Sequence, residues 1–256
     1  MANKHQSTTR FSNRVADYVQ FRPHYPLEII DLLADKCELT PESVIADIGS
    51  GTGLLAKIFL ENGNPVIGIE PNREMRLAGE QYLAEFGRFT SMDGTAEATR
   101  LPAHAIDIAV AGQAFHWFDP AKARAEFIRI LKPEGFAVLV WNVRRADTTP
   151  FLREYEKLVV KFGTDYQEVN HEHAQKKSVL RQFFGGEFSE VQFDNLQRLN
   201  LDGLLGRIHS SSYMPAPNEA SYAPMVKQAK EIFTAHQQNG VVTFEYDTAV
   251  HYGMML

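Results

Sequence analysis

Asp47-Ile48-Gly49-Ser50-Gly51-Thr52-Gly53 (DIGSGTG) is the stretch whose reading decides the fold. It follows a short apolar run, Val44-Ile45-Ala46-Asp47-Ile48, which reads as a buried parallel strand. It precedes Gly53 to Glu61 (GLLAKIFLE), which reads as a helix. Glycines at such a junction let the backbone turn sharply and approach a ligand with no Cβ in the way. The helix that follows presents N–H groups to an anionic part of that ligand. A P-loop is excluded, because no Gly-Lys-Ser/Thr ends the run. A dinucleotide site stays open. Gly51-Thr52-Gly53-Leu54-Leu55-Ala56 satisfies GxGxxA, and Glu70 lies near the spacing of about 20 residues which that fingerprint wants.

Outward from the loop, strands and helices alternate. Pro26 to Lys36 reads as a helix, with Pro near its first turn. Pro65 to Glu70, Phe89 to Met92, Ile106 to Ala111 and Phe136 to Trp141 read as strands. Asn72 to Phe86 and Ala121 to Leu131 read as helices, the second ended by the turn Lys132-Pro133-Glu134-Gly135. The segment 150–184 reads as a helical insertion. After it come a strand (Phe188 to Asn200), two helices (Leu201 to Ile208, Glu219 to His236) and a last strand (Val241 to Val250). The pattern predicts an α/β fold of Rossmann-like type. Its sheet would be seven-stranded and mostly parallel, with the last strand antiparallel and inserted between the fifth strand and the strand that precedes it in the chain. The domain plan is a single domain over 1–256, with a cofactor-binding core at 14–145, a helical cap at 150–184 and a C-terminal hairpin with helices at 188–256.

Two details favour S-adenosylmethionine over a dinucleotide. Asp47 would face a pyrophosphate badly, but it suits the ammonium of a methionine moiety or the loop's own N–H groups. Gly49 extends the glycine run beyond the dinucleotide pattern. Glu70 closes the second strand, where a carboxylate can accept hydrogen bonds from both ribose hydroxyls. The plain structural alternative for Glu70 is a charge at a helix N-terminus.

The order DIGSGTG, IE before a helix, GTAEATRLP, AGQAFHWFD and LKPEGFAVLVWN resembles class I S-adenosylmethionine-dependent methyltransferases. More narrowly it looks like the trans-aconitate methyltransferase-like branch, as do YVQFRPHYP near the N-terminus and RIHSSSYMP with the final VTFEYDTAV. The resemblance implies a first cofactor loop of Asp47, Gly49, Ser50, Gly51 and Gly53. It places Glu70 on the ribose, with Pro71 beside it, and Met75 on the adenine. Thr95, Ala96 and Glu97 would flank the ring, the Ala96 N–H reaching a ring nitrogen. Relatives often carry Asp where this chain has Thr95. Gln113 would lie at the methionine end, and Tyr18 and Arg22 would form part of a lid.

His116, in AFHWF, follows a predicted strand's C-terminus and is a candidate general base. The alternative is a histidine that only positions the wall of the site. Trp117 reads as packing. Trp141, Arg144, His209 and Tyr213 are the candidate acceptor-pocket residues. His171 and His173 read as solvated side chains rather than metal ligands. Net charge is −6 with a pI near 5.9, which argues against a nucleic-acid partner. Arg144-Arg145 and Lys176-Lys177 are too short to be a basic footprint. One cysteine, Cys37, rules out an intrachain disulfide and fits a reducing compartment. No apolar run is long enough to span a bilayer, and the N-terminus reads as lacking a signal peptide. The expectation is a cytoplasmic methyltransferase acting on a small-molecule acceptor, with a carboxylate as the favoured class and no metal. The alternatives are an NAD(P)-dependent oxidoreductase or a non-enzymatic cofactor-binding protein.

Overall fold

The computed structural model describes residues 19–164, 166 and 176–255. Tyr18, His171 and His173 lie outside the described residues. The elements run α1 (Glu28–Lys36), β1 (Ile45–Ile48), α2 (Leu54–Glu61), β2 (Val66–Ile69), α3 (Arg73–Tyr82), β3 (Phe89–Met92), β4 (Ile106–Gly112) and α4 (Pro120–Ile130). They continue with β5 (Leu131–Arg144), α5 (Pro150–Phe162), α6 (Lys177–Phe184), β6 (Ser189–Leu199), α7 (Leu201–His209), α8 (Tyr222–His236) and β7 (Val242–Met254).

The sheet has seven strands in the order β3-β2-β1-β4-β5-β7-β6. β1 to β5 pair in parallel, and β7 pairs antiparallel with both β5 and β6. β6 therefore runs with β5, and β7 alone is reversed, lying between the two as the sequence pattern predicts. Short connections suffice for an antiparallel pair, while each parallel step needs a crossover. Alternation along the central strands splits the core. Ile108, Val110, Val138 and Val140 face α1 and α2. Ala109, Ala111, Ala137 and Leu139 face α4 and α6. A third core, with Phe151, Leu158, Leu204, Met225 and Phe244, joins α5, α7 and α8 to the start of β7.

Two boundaries differ from the sequence reading. The predicted turn at Lys132-Pro133-Glu134-Gly135 lies inside β5, as a register shift between Ile106↔Leu131 and Ile108↔Phe136. Glu134 takes φ +68° there, so the turn chemistry survives as an irregularity within a longer strand. β7 runs on to Met254 because β5 pairs with it from Arg144↔Tyr246 to Phe136↔Met254. Among the described residues no helix is long and apolar enough to cross a membrane.

Glu126 on α4 fastens the loop that precedes β4. One carboxylate oxygen accepts the Thr99 N–H at 2.8 Å and the Thr99 hydroxyl at 2.6 Å, and Arg129 donates to both oxygens. The Arg129 guanidinium, with the Thr99 donors, holds the Glu126 pKa down to about 2 against the effect of burial. A depressed carboxylate pKa contributes stability that is full above its ordinary pKa and is lost as pH falls toward the folded value. Glu126→Gln is expected to lose about 1.5–3 kcal/mol at pH 7, and less at pH 3. Urea unfolding at both pH values checks this, and an equal loss at the two would contradict the assignment.

Candidate active site

All the parallel strands end at one edge of the sheet, and a cleft of about 290 Å³ opens there. Ligands of open α/β sheets bind outside this carboxyl edge. The floor is the loop from Asp47 to Gly53. Gly49, Gly51 and Gly53 take φ of +71°, +57° and +83°, values that L side chains adopt only under strain. A Cβ on Gly49 would lie 2.7 Å from the Ala114 Cβ, so the loop and the β4 exit touch backbone to side chain. Gly53 serves packing rather than the cleft, since a Cβ there would meet Leu83 at 2.5 Å.

Glu70, buried at the end of β2, holds this floor in place. Its carboxylate accepts the Gly51 N–H at 2.9 Å and the Asn72 N–H at 2.8 Å. Burial raises the Glu70 pKa, and the two amides and Arg76 pull it back. Asn72 in turn caps α3 by accepting the Met75 N–H at 3.1 Å. Sequence reasoning offers Glu70 a ligand role or a helix-terminal charge. The structure adds a clamp on the glycine loop. A carboxylate has about four lone-pair positions; two are used here, and Glu70 is among the residues that line the cleft.

Asp47 is 1% exposed, and both of its oxygens are without a hydrogen-bond partner. Burial pushes its pKa up to about 7. The Ala56 N–H in the first turn of α2 favours the charged form without reaching hydrogen-bond geometry, and Glu70 opposes it. The Thr52 hydroxyl and the Gln113 Oε1 are likewise buried and unpartnered, and both residues line the cleft. Gln113 takes φ +53°, and its amide group donates to the Asn142 carbonyl at 2.8 Å, which leaves the oxygen free.

The other predicted cofactor residues Ser50, Pro71, Met75, Thr95, Ala96 and Glu97 also line the cleft. Met75 lies under Gly51. Thr95 and Ala98 bridge each other, and the Glu97 carboxylate accepts the Asp119 N–H at 2.8 Å, which ties this loop to the start of α4. Tyr25, Trp117 and Phe118 complete the wall. The Trp117 side chain, a packing residue by sequence, is therefore part of the cleft. Tyr25 is legible only in three dimensions, its ring filling the space above Gly112. His116 sits beside Trp117, ring centroids 4.8 Å apart, and does not line the cleft. Arg22 is likewise not among the lining residues, and it donates to the Ser210 carbonyl at 2.7 Å.

Of the predicted acceptor residues, Arg144 and Tyr213 both meet Tyr166, while Trp141 and His209 find other partners. Trp141 is buried in the core against Phe115 and His251. Arg144 pairs with Glu156 and Tyr166, His209 meets the Tyr222 hydroxyl at 2.8 Å, and the Tyr213 ring packs on Tyr166. Among the described residues no group of His, Cys, Asp or Glu could hold a metal ion.

Residues 46–139, from β1 through β5, match the methyltransferase domain family. The chain is 32% identical over 156 residues to an uncharacterized methyltransferase-like protein of Schizosaccharomyces pombe, covering 60% of this chain and 59% of that protein. It is 33% identical over 153 residues to an uncharacterized methyltransferase of Mycobacterium tuberculosis, covering 60% of each. The chain thus spans about 60% of the length of these curated relatives. Its fold matches a candidate type II methyltransferase of Anaeromyxobacter dehalogenans with a TM-score of 0.69 at 22% identity, over 92% of this chain and 99% of that one. A candidate methyltransferase from an antibiotic biosynthesis pathway of Anabaena variabilis matches with a TM-score of 0.59 at 19% identity, over 91% and 98%.

Two outcomes test the geometry of the cleft. Gly49→Ala combines a left-handed φ with a clash and is expected to destabilise by about 1–3 kcal/mol, while Gly87→Ala, with open space around it, stays near neutral. Equal unfolding midpoints for the two variants would contradict the geometry. Asp47→Asn addresses the raised pKa. A raised carboxylate pKa withdraws stability as pH climbs from its ordinary value through about 7. The variant should therefore gain thermal stability over the ligand-free wild type, slightly near pH 4 and increasingly up to pH 8. A gain independent of pH would show that Asp47 titrates normally.

Proposed function

We propose that the protein transfers a methyl group from S-adenosylmethionine to a small-molecule acceptor carrying a carboxylate. One observation carries the cofactor assignment. The cleft of a methyltransferase domain holds buried, unpartnered acceptors on Asp47, Thr52 and Gln113. Unpaired buried polar groups are unfavourable unless a ligand satisfies them. A cationic ammonium beside an adenosine unit fits such a set, whereas the pyrophosphate of a dinucleotide would meet the Asp47 carboxylate with like charge. The antiparallel β7 and the domain match also favour this reading over a nicotinamide enzyme.

In this reading Asp47 and the Gln113 oxygen hold the ammonium, and the open lone pairs of Glu70 accept the ribose hydroxyls. Met75 and Pro71 pack on the adenine, and the Ala96 N–H with Thr95 and Glu97 borders its edge. S-adenosylmethionine supplies a methyl carbon on a sulfonium, which departs as a neutral thioether when the acceptor's lone pair displaces it. The chain need not stabilise a growing anion. Its task is to hold the acceptor in line and exclude water, an effect worth up to about 7–11 kcal/mol. A carboxylate acceptor is already ionised at neutral pH, so it needs no base, and His116 then serves only to support the wall.

Calorimetry with S-adenosylhomocysteine tests the assignment. An ammonium beside Asp47 would lower its pKa from about 7, so binding near pH 6.5 should release part of a proton, and Asp47→Asn should abolish that release. Glu70→Ala should weaken binding by roughly ten- to a hundredfold. It should also lower the melting temperature, because the Gly51 and Asn72 amides lose their acceptor. Undetectable binding by wild type, or tighter binding of NADH, would overturn the reading.

A further inference from the structure

Arg207 on α7 is 6% exposed, yet among the described residues its side chain donates to hydroxyls only: Tyr246 at 3.4 Å and Ser211 at 2.9 Å. Guanidinium stays protonated in any protein environment. A buried charge with no counter-ion is among the most unfavourable groups a fold can carry, and such charges are normally paired. No ion pair joins Arg207 to a carboxylate among the described residues.

The surroundings are rich in donors. Arg144, whose side chain is 9% exposed, spends one end of its guanidinium on Glu156 and Tyr166, and its Nη1 is buried without a partner. The same guanidinium stacks over Tyr155, centroid distance 4.9 Å, and the Tyr155 hydroxyl is also buried without a partner. Tyr213 faces the group as well. Burial raises its phenol pKa, but the charges of Arg207, Arg22 and Arg144 outweigh that and bring it below the ordinary value. Among the described residues Glu156 sets a carboxylate against Arg144, and it is committed there.

This cluster adjoins the cofactor cleft. Gln113 lines the cleft and donates to the carbonyl of Asn142 on β5. Arg144 is two residues further along that strand, about 7 Å on. From the other side, Phe21 seats on Gly206 of α7 and Arg22 donates to Ser210, while Tyr25, a few residues later, lines the cleft.

We propose that Arg207, with Arg144, Tyr155 and Tyr213, forms a binding site for a carboxylate group of the methyl acceptor. The inference rests on the methyltransferase reading for the identity of the ligand, and it adds the residues that select it. A carboxylate accepts from the Arg144 Nη1, the Tyr155 hydroxyl and the fork of Arg207, and it neutralises a charge that the described residues leave unpaired. Arg207 here is a specificity residue: it grips a part of the acceptor that does not react.

Succinate, citrate and inorganic phosphate serve as probes at matched ionic strength, read by thermal shift and calorimetry on the full chain. S-adenosylhomocysteine binding is measured separately. We expect succinate or citrate to stabilise wild type, with phosphate weaker. Arg207→Met should lose ten- to a hundredfold or more in that affinity, while its S-adenosylhomocysteine affinity holds. Ligand-free Arg207→Met should melt at or above the wild-type temperature, because an apolar isostere replaces an unpaired buried charge. Should that variant not fold, Arg144→Gln gives the second reading, with the same selective loss of carboxylate binding. Failure of all the carboxylates to bind wild type, tighter binding of phosphate, or unchanged carboxylate affinity in Arg207→Met or Arg144→Gln would overturn the site. Carboxylate binding without any S-adenosylhomocysteine binding would uphold this site and overturn the cofactor reading instead.

Discussion

The architecture at the carboxyl edge of the sheet depends on one carboxylate. Glu70 accepts the Gly51 and Asn72 amides at once, joining the loop after β1 to the turn after β2. Those two connections would otherwise diverge, one into α2 and the other into α3. The glycine loop has little of its own to hold it there, since its residues contribute almost no side chain and take left-handed φ values. With Glu70 in place, Gly49 can rest against Ala114 and Gly51 against Met75, so the floor of the cleft meets both walls. Burial opposes the charge on Glu70, and the amides that it clamps are what favour it. The loop and the carboxylate stabilise each other.

The unsatisfied polar atoms near that edge fall into two kinds. In the cleft they are acceptors: the Asp47 carboxylate and the Gln113 oxygen, with the Thr52 hydroxyl able to play either part. Beyond the end of β5 they are donors, on Arg144 and Tyr155, beside Arg207, which no carboxylate of the described residues pairs. Like groups are thus gathered and unlike ones kept apart, the opposite of what a fold does to satisfy itself. A cation-seeking cleft next to an anion-seeking cluster matches the chemistry of two ligands of opposite local charge brought together. The strand β5 and the segment from Phe21 to Tyr25 connect the two regions, each contributing to both.

Much of this was legible in the chain, and the reason is local. The period of apolar residues and the positions of Gly and Pro follow from backbone geometry within a few residues. The strand–helix alternation from β1 to α4 and the helices after β6 therefore read directly. The glycine loop was recognisable because glycine at alternate positions has few other uses. The reversal of β7 followed from the terminal pair of strands after a change in pattern. The long β5 did not read, because Lys132 to Gly135 is turn chemistry that only a neighbouring strand can absorb as an irregularity.

Partnership is what the sequence by itself left undecided. It named Glu70 and Asp47 but not that the first would be tied to Gly51 and the second left without any hydrogen bond. It suggested Trp141 and Arg144 together as acceptor residues, and alternation across β5 sends the first into the core and leaves the second at the strand's end. Arg207 opens the RIHSSSYMP stretch, but nothing local marked it as a site residue, since it reads as an ordinary basic residue in the last turn of an amphipathic helix. Whether a charge is solvated, paired or stranded depends on which distant segments close over it, here Tyr246 from β7 and Ser211 after α7. Secondary structure and the glycine turn were set by near neighbours along the chain. The electrostatic character of the site was decided only when distant residues removed the water.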